Sequence, residues 1–207
     1  MKYKIIWTFI FLLLDTMHKD VFFLGIQWSG KWTQGKLLLK EFADHYDYLE
    51  MGQLFRAIMS NDNIIGNFCK NIVNRGALVP HFVSHDWFHT ALQIVINKKE
   101  GLMIDGFPRA MEQAEFVHKK MEEYGRDFVI IHFELSREKA IERMIKRAQI
   151  EGRADDTPEA MHMRIDTFVQ ETLPVITYFE SLGKVITVNA DWEIADVQAE
   201  LRKKLGL

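Results

Sequence analysis

The chain has 207 residues, enough for one domain with a sizeable core and too few for several. Its 26 Lys and Arg against 29 Asp and Glu leave a net charge of −3, which points to neither a nucleic-acid partner nor an anionic membrane surface. The single cysteine, Cys69, excludes an internal disulfide and a cysteine zinc site, and it fits a reducing, cytoplasmic setting.

In chain order, Ile5 to Leu14 is a mostly apolar run behind Lys2 and Lys4. It is too short to span a membrane. It has the look of a signal-peptide core, but no small-residue cleavage site follows. Residues 1–16 are therefore expected to be an extension outside the fold, with the body starting at Met17. Val21 to Leu24 then reads as a short buried strand. Gly25, four residues, Gly30 and Lys31 match the phosphate-loop spacing G-x-x-x-x-G-K, with Thr33 one position later than the general pattern. Leu37, Leu38, Leu39 and Phe42 continue at helical spacing. A strand, a loop and a helix in that order are what such a loop requires, because backbone N–H groups and the positive end of the helix dipole must face an anion. The bland reading is a strand-turn-helix with a surface lysine.

A second unit begins near Tyr48, where Gly52 is expected to break the chain and Leu54, Phe55 and Ile58 form an apolar helix face with Arg56 apart from it. A turn at Gly76 to Pro80 precedes a helix expected over Phe82 to Ile96. His85 and His89 share an i, i+4 spacing but lack an evident third ligand, and read as a solvated pair. Gly101 to Ile104 reads as a buried strand ending in Asp105 and a Gly/Pro loop that carries Arg109. Ligands gather at the carboxyl ends of parallel strands, so Asp105 and Arg109 stand where chemistry would be. Further expected elements are a helix from Met111 to Tyr124, a strand from Phe128 to Leu135, a helix over Arg137 to Lys146 capped by Ser136, one long helix ending near Gly183, a strand over Val185 to Val188 and a terminal helix over Ile194 to Leu205. Strands alternating with helices imply a parallel sheet.

The phosphate loop, Asp105-Gly106-Phe107-Pro108-Arg109 and Gly152-Arg153-x-Asp155-Asp156, taken together and in this order, resemble the adenylate kinase family from about Val21 to the C-terminus. The resemblance implies a three-layer α/β/α phosphate-loop fold with a central parallel five-stranded sheet. It further implies a monophosphate-binding insert over residues 50–80 and a short lid over 147–158. The implied reaction is reversible phosphoryl transfer from ATP to AMP with Mg2+, by a monomer acting on these substrates alone, without nucleic acid or membrane.

Roles follow from the same resemblance. Gly25, Ser29, Gly30 and Lys31 would hold the phosphates of ATP, and Arg143 would stack on its adenine. Thr33 would coordinate magnesium, and Asp105 would hold it through water. Met51, Gly52, Arg56, Val79, Gly106 and Arg109 would line the AMP side, with Gln113 reading its adenine. Arg147, Arg153 and Arg164 would close over the transferring group. Guanidinium suits these tasks, being always charged and a planar fork of donors. The plainer readings are a solvated helix face for Arg143 and Arg147 and a helix cap for Asp155. A pyrimidine monophosphate kinase is an alternative, which Gln113 disfavours. Met51 and Gln53 depart from the Thr and Asp usual in the family.

Trp28, Trp32 and Trp192 depart further, since each stands where the resembled pattern has glycine. A UGA codon is read as glycine in some genetic codes and as tryptophan in others, and such a misreading would account for all three. The natural residues are therefore expected to be glycine. The competing reading is a non-catalytic relative with a blocked phosphate loop.

Overall fold

In the computed structural model, residues 19–75, 77–151 and 157–207 are described, with 147–151 described by backbone alone. The expected 1–16 extension, Gly152, Arg153, Asp155 and Asp156 lie outside these residues.

Five strands form one parallel sheet: β1 (Asp20–Gly25), β2 (Tyr46–Glu50), β3 (Gly101–Asp105), β4 (Phe128–Glu134) and β5 (Val185–Asn189), in the order β2-β3-β1-β4-β5. The central strands β1 and β3 are buried almost throughout, as strands covered on both faces must be, and hence read as unbroken apolar runs. Alternation along β1 sends Phe22 and Leu24 to one face and Val21 and Phe23 to the other.

The first face packs against α4 (His81–Lys98), α5 (Met111–Glu123) and α8 (Leu173–Ser181), through Phe88, Val117 and Phe179. The opposite face packs against α1 (Lys31–Phe42) and α9 (Ile194–Leu205), through Leu38, Val197 and Leu201. The result is three layers. The remaining helices are α2 (Met51–Met59) and α3 (Ile64–Val73) after β2, α6 (Arg137–Glu151) after β4, and α7 (Pro158–Thr167) before α8. No helix among the described residues is long and apolar enough to cross a membrane.

Several sequence expectations need correction. Gly52 does not break the chain; it lies in the first turn of α2. The strand β2 has no counterpart among the stretches read individually as strands, because Tyr46-Asp47-Tyr48-Leu49-Glu50 mixes polar and apolar residues at a sheet edge. Helix α6 passes Lys146 and reaches Glu151, so the first five residues of the expected lid are helical. The long helix before Gly183 is interrupted by a π-helical segment, Phe168–Thr172. Pro174 stands just after it, where the missing N–H favours a local change of hydrogen bonding. His85 is not solvated: its ring stacks on Phe116 with centroids 4.1 Å apart, and burial pushes its pKa down. Among the described residues no cluster of three or more His, Cys, Asp or Glu is placed to hold a metal. The Ser136 cap is present, its Oγ accepting from Lys139 N–H at 3.2 Å.

Candidate active site

The carboxyl ends of β1, β2 and β3 lie together at one edge of the sheet, where Glu50 is in register with Asp105, and Asp105 with Phe23. Strand order changes direction around β1 and β3, which opens the crevice in which open parallel sheets take ligands.

From β1 the chain turns through Gly25 to Gly30 into α1. Gly25 has φ +150°, and a Cβ there would lie 2.6 Å from the Phe133 carbonyl oxygen, so only glycine lets the loop leave the strand this close to β4. Lys31 folds back over the loop and donates to the Gly25 and Ile26 carbonyls, each at 2.9 Å, and to Ser29 Oγ at 3.3 Å. Burial pulls its ammonium down from 10.5 to about 8. Asp105 opposes that shift, and Arg109 adds to it.

Asp105 is buried at the end of β3, and desolvation raises its pKa, against the pull of Lys31 and Arg109. The next loop carries a cis Phe107–Pro108 bond and brings Arg109 back over it. Arg109 Nε donates to the Gly106 carbonyl at 2.7 Å. A Cβ at Gly106 would lie 2.6 Å from Arg109 Nη2, so glycine there makes room for the guanidinium. Thr172 Oγ1 donates to the Arg109 carbonyl at 2.9 Å, tying this loop to the π segment. Burial also lowers the Arg109 pKa, with further repulsion from Arg164 and Arg56. Three guanidiniums thus bear on one place. Arg56 is steadied there by Glu50 Oε1 at 2.7 Å.

A cleft of about 910 Å³ joins these pieces. Of the residues singled out in the sequence, Gly30, Lys31, Thr33, Met51, Gly52, Arg56, Val79, Asp105, Gly106, Arg109, Gln113, Arg143 and Arg164 line it. Gly25 and Ser29 belong to the loop but are not on the cleft lining; Ser29 is buried. Arg147 is on α6, its side chain outside the described part, and Arg153 lies outside altogether. Arg143, at the other end of the loop, donates to the Trp28 carbonyl at 3.3 Å. Among the described residues, six basic side chains line the cleft (Lys31, Lys36, Arg56, Arg109, Arg143 and Arg164) against the two acids Glu50 and Asp105.

Two oxygen donors, the Thr33 hydroxyl and the Asp105 carboxylate, share this cleft. That set fits Mg2+, which keeps several waters and takes its other ligands from substrate phosphates.

Sequence reading missed Glu50, Ser84, Lys36 and Thr172, all of which line the cleft. Glu50 had a signal in standing one residue before the Met51-Gly52 stretch, but the strand it ends was not read from the sequence. Thr172 had none, because its contact spans 63 residues and depends on the π segment.

The tryptophans differ among themselves. Trp28 has φ +72°, one of two described non-glycine residues in the left-handed region, the other being Lys99. An L side chain there costs roughly 1–2 kcal/mol. Trp32 is in the first turn of α1, 52 % exposed, with its indole on the cleft. Trp192 sits in a bend before α9, 49 % exposed, with no positive φ. The backbone itself asks for glycine only at position 28.

Residues 23–184 match the family profile described as adenylate kinase. The chain is 31 % identical to adenylate kinase isoenzyme 1 of Sus scrofa over 183 residues, covering 88 % of this chain and 92 % of that protein. It is 32 % identical to adenylate kinase isoenzyme 1 of Caenorhabditis elegans, with 86 % and 83 % covered. It is 29 % identical to an adenylate kinase of Parabacteroides distasonis, with 90 % and 97 % covered.

Proposed function

The chain belongs to the adenylate kinase family and so to the phosphotransferases that act on nucleotides, and from that premise we propose that it transfers the terminal phosphoryl group of ATP to AMP, giving two ADP, with Mg2+. The observation that carries this reading is the convergence of Arg56, Arg109 and Arg164 with Lys31 in one cleft at the sheet's carboxyl edge.

A phosphate oxygen of AMP attacks the γ-phosphorus in line. The bond from the γ-phosphorus to the β–γ bridging oxygen breaks, and its electron pair leaves on ADP. Little covalent work falls to the protein; positioning and charge neutralisation are its part. Lys31 and the loop amides hold the donor phosphates. Arg56 and Arg109 grip the monophosphate, and Arg164 faces the group in transit. Thr33 and Asp105 would hold Mg2+, which would offset charge on the donor phosphates. Gln113 meets the acceptor base. Helices α2 and α3 exclude water on closure, since an open site would let water take the phosphoryl group. The purified chain incubated with ATP, AMP and Mg2+ should form ADP. No ADP at any enzyme concentration would overturn the reading, and equal rates with CMP or UMP would overturn the adenine assignment.

Trp28 in left-handed backbone and Trp32 on the cleft favour a second reading, a relative that binds nucleotide and does not turn it over. The gene decides between them. If codons 28, 32 and 192 are UGA and the native mass carries glycine at each, the chain is an ordinary short-lid enzyme written in the wrong code. If they are UGG, the tryptophans are native and the binding reading gains.

A further inference from the structure

Glu50 lines the cleft, yet the transfer described above gives it no task. It ends β2 and stands at the N-cap of α2, where a side-chain oxygen ordinarily accepts from the amides of the first turn. It makes no such bond. Its carboxylate turns to Arg56 and accepts from Nη2 at 2.7 Å. The pair is shielded, the Glu50 side chain being 14 % exposed. Gly52 leaves room for it: a Cβ there would come 3.1 Å from Arg56 Nη1 and 3.7 Å from Glu50 Oε1. Arg109 and Arg56 repel each other, so Arg56 is drawn by the carboxylate and pushed by the other guanidinium. Asp105 is in register with Glu50 on the next strand, and its pKa is raised first by burial and also by the Glu50 charge. Among the described residues, Arg56 is the one ion-pair partner of Glu50.

An arriving monophosphate makes the demand on Arg56 that Glu50 already makes, for anionic oxygens on a fork of donors. We propose that Glu50 is a specificity-determining residue that competes with the acceptor's phosphate for Arg56, and so trims the advantage of a nucleoside monophosphate over the bare nucleoside and hastens release of the monophosphate. This rests on the reading that Arg56 grips the monophosphate. Each phosphate oxygen bonded to Arg56 draws that charge away from Glu50, and the carboxylate then faces the phosphate and Asp105 at once, like charges all three. The guanidinium gains nothing in return that a neutral acceptor would not also give it. Glutamine at position 50 keeps the length of the side chain and an oxygen for Arg56 to bond, and loses only the charge.

Equilibrium titration of the full chain with AMP and with adenosine, which lacks the phosphate, reads this without turnover. Glu50→Gln should bind AMP about fivefold or more tightly, with adenosine unchanged within about twofold. AMP dissociation in stopped flow should slow by about the same factor. If Glu50 only steadies Arg56 for the phosphate, Glu50→Gln leaves AMP affinity where it was, and Glu50→Ala, which lets the guanidinium go, weakens it; either result overturns the proposal. So does an equal gain for adenosine, which would put the effect elsewhere than at the phosphate. Should Glu50→Gln fail to fold by thermal melt, Glu50→Ala decides, and it must tighten AMP as well. A chain that answers in the expected way yet makes no ADP fails as a kinase and leaves the proposal standing. One that makes ADP and whose AMP affinity ignores Glu50→Gln keeps the kinase reading and loses the proposal.

Discussion

Lys31 sits where the protein opposes its charge. Folded, its ammonium titrates at about 8; unfolded, at the ordinary 10.5. Between these values the unfolded chain holds a proton that the folded chain has released, so stability rises with pH across that window, and the full penalty applies below 8. Lys31→Met should therefore stabilise the fold at pH 7, on the order of 2 kcal/mol or several degrees in Tm, while abolishing activity. Melts at pH 7 and pH 10.5 check this: the gain must shrink at the higher pH, and a loss at pH 7 would refute it. Arg109 faces the opposite demand, for geometry rather than charge. Arg109→Lys keeps the charge and loses the planar fork, and kcat/KM for AMP should fall about 10²-fold. A drop under about threefold would remove Arg109 from the site. Trp28→Gly with Trp32→Gly should relieve left-handed strain and clear the cleft, raising kcat/KM for ATP at least about 10²-fold in steady-state assays. An unchanged rate would show that the indoles obstruct nothing. At this scale the sequence told much where a motif is local. Gly25, Gly30 and Lys31 lie within seven residues and fix one another's roles. His81, Ser84 and Thr172 were silent because their partners, Gln113 and Arg109, are 29 to 63 residues away.

Among elements, the central strands were the most legible, being buried on both faces. β1 and β3 carry the apolar runs Val21 to Leu24 and Leu102 to Ile104 because little that is polar can sit between two helix layers. The edge strand β2 lacked that constraint, and its mixed sequence hid it. Asp20 is the exception inside β1: a carboxylate, fully buried, that anchors three elements at once. It accepts from Leu102 N–H of β3 at 2.7 Å and from Arg126, just before β4, through two bonds of 2.6 Å. Burial raises its pKa, and the guanidinium opposes that. Asp20→Ala would leave Arg126 and a strand amide without their partner, and should cost about 3 kcal/mol or more in urea unfolding. A cost under about 1 kcal/mol would mean that water replaces the pair. The π segment has a different use. One extra residue shifts the helix by about 100° in phase, so α7 can turn Arg164 to the cleft while α8 turns Val175 and Phe179 into the core. Periodicity could not foresee this, because a helix on either side of such a segment has an ordinary apolar stripe.

For the whole molecule, the parallel sheet was legible from the alternation of strands and helices, and connections that run one way from β1 and the other way from β3 leave helices on both faces and a cleft at the carboxyl edge. Charge is distributed less evenly than its total implies. The described cleft lining carries four more positive than negative side chains, and the chain as a whole is −3, so everything else carries a net charge of −7. Such a body is an electric dipole whose positive pole is the mouth of the cleft. A nucleotide drifting past would be turned phosphate-first before touching anything, and one approaching elsewhere would be deflected. The encounter rate, rather than the chemistry, would then answer to ionic strength: kcat/KM should fall severalfold from about 20 to 200 mM salt, with kcat nearly level. Salt-independent kcat/KM would mean that nucleotides arrive by unguided collision.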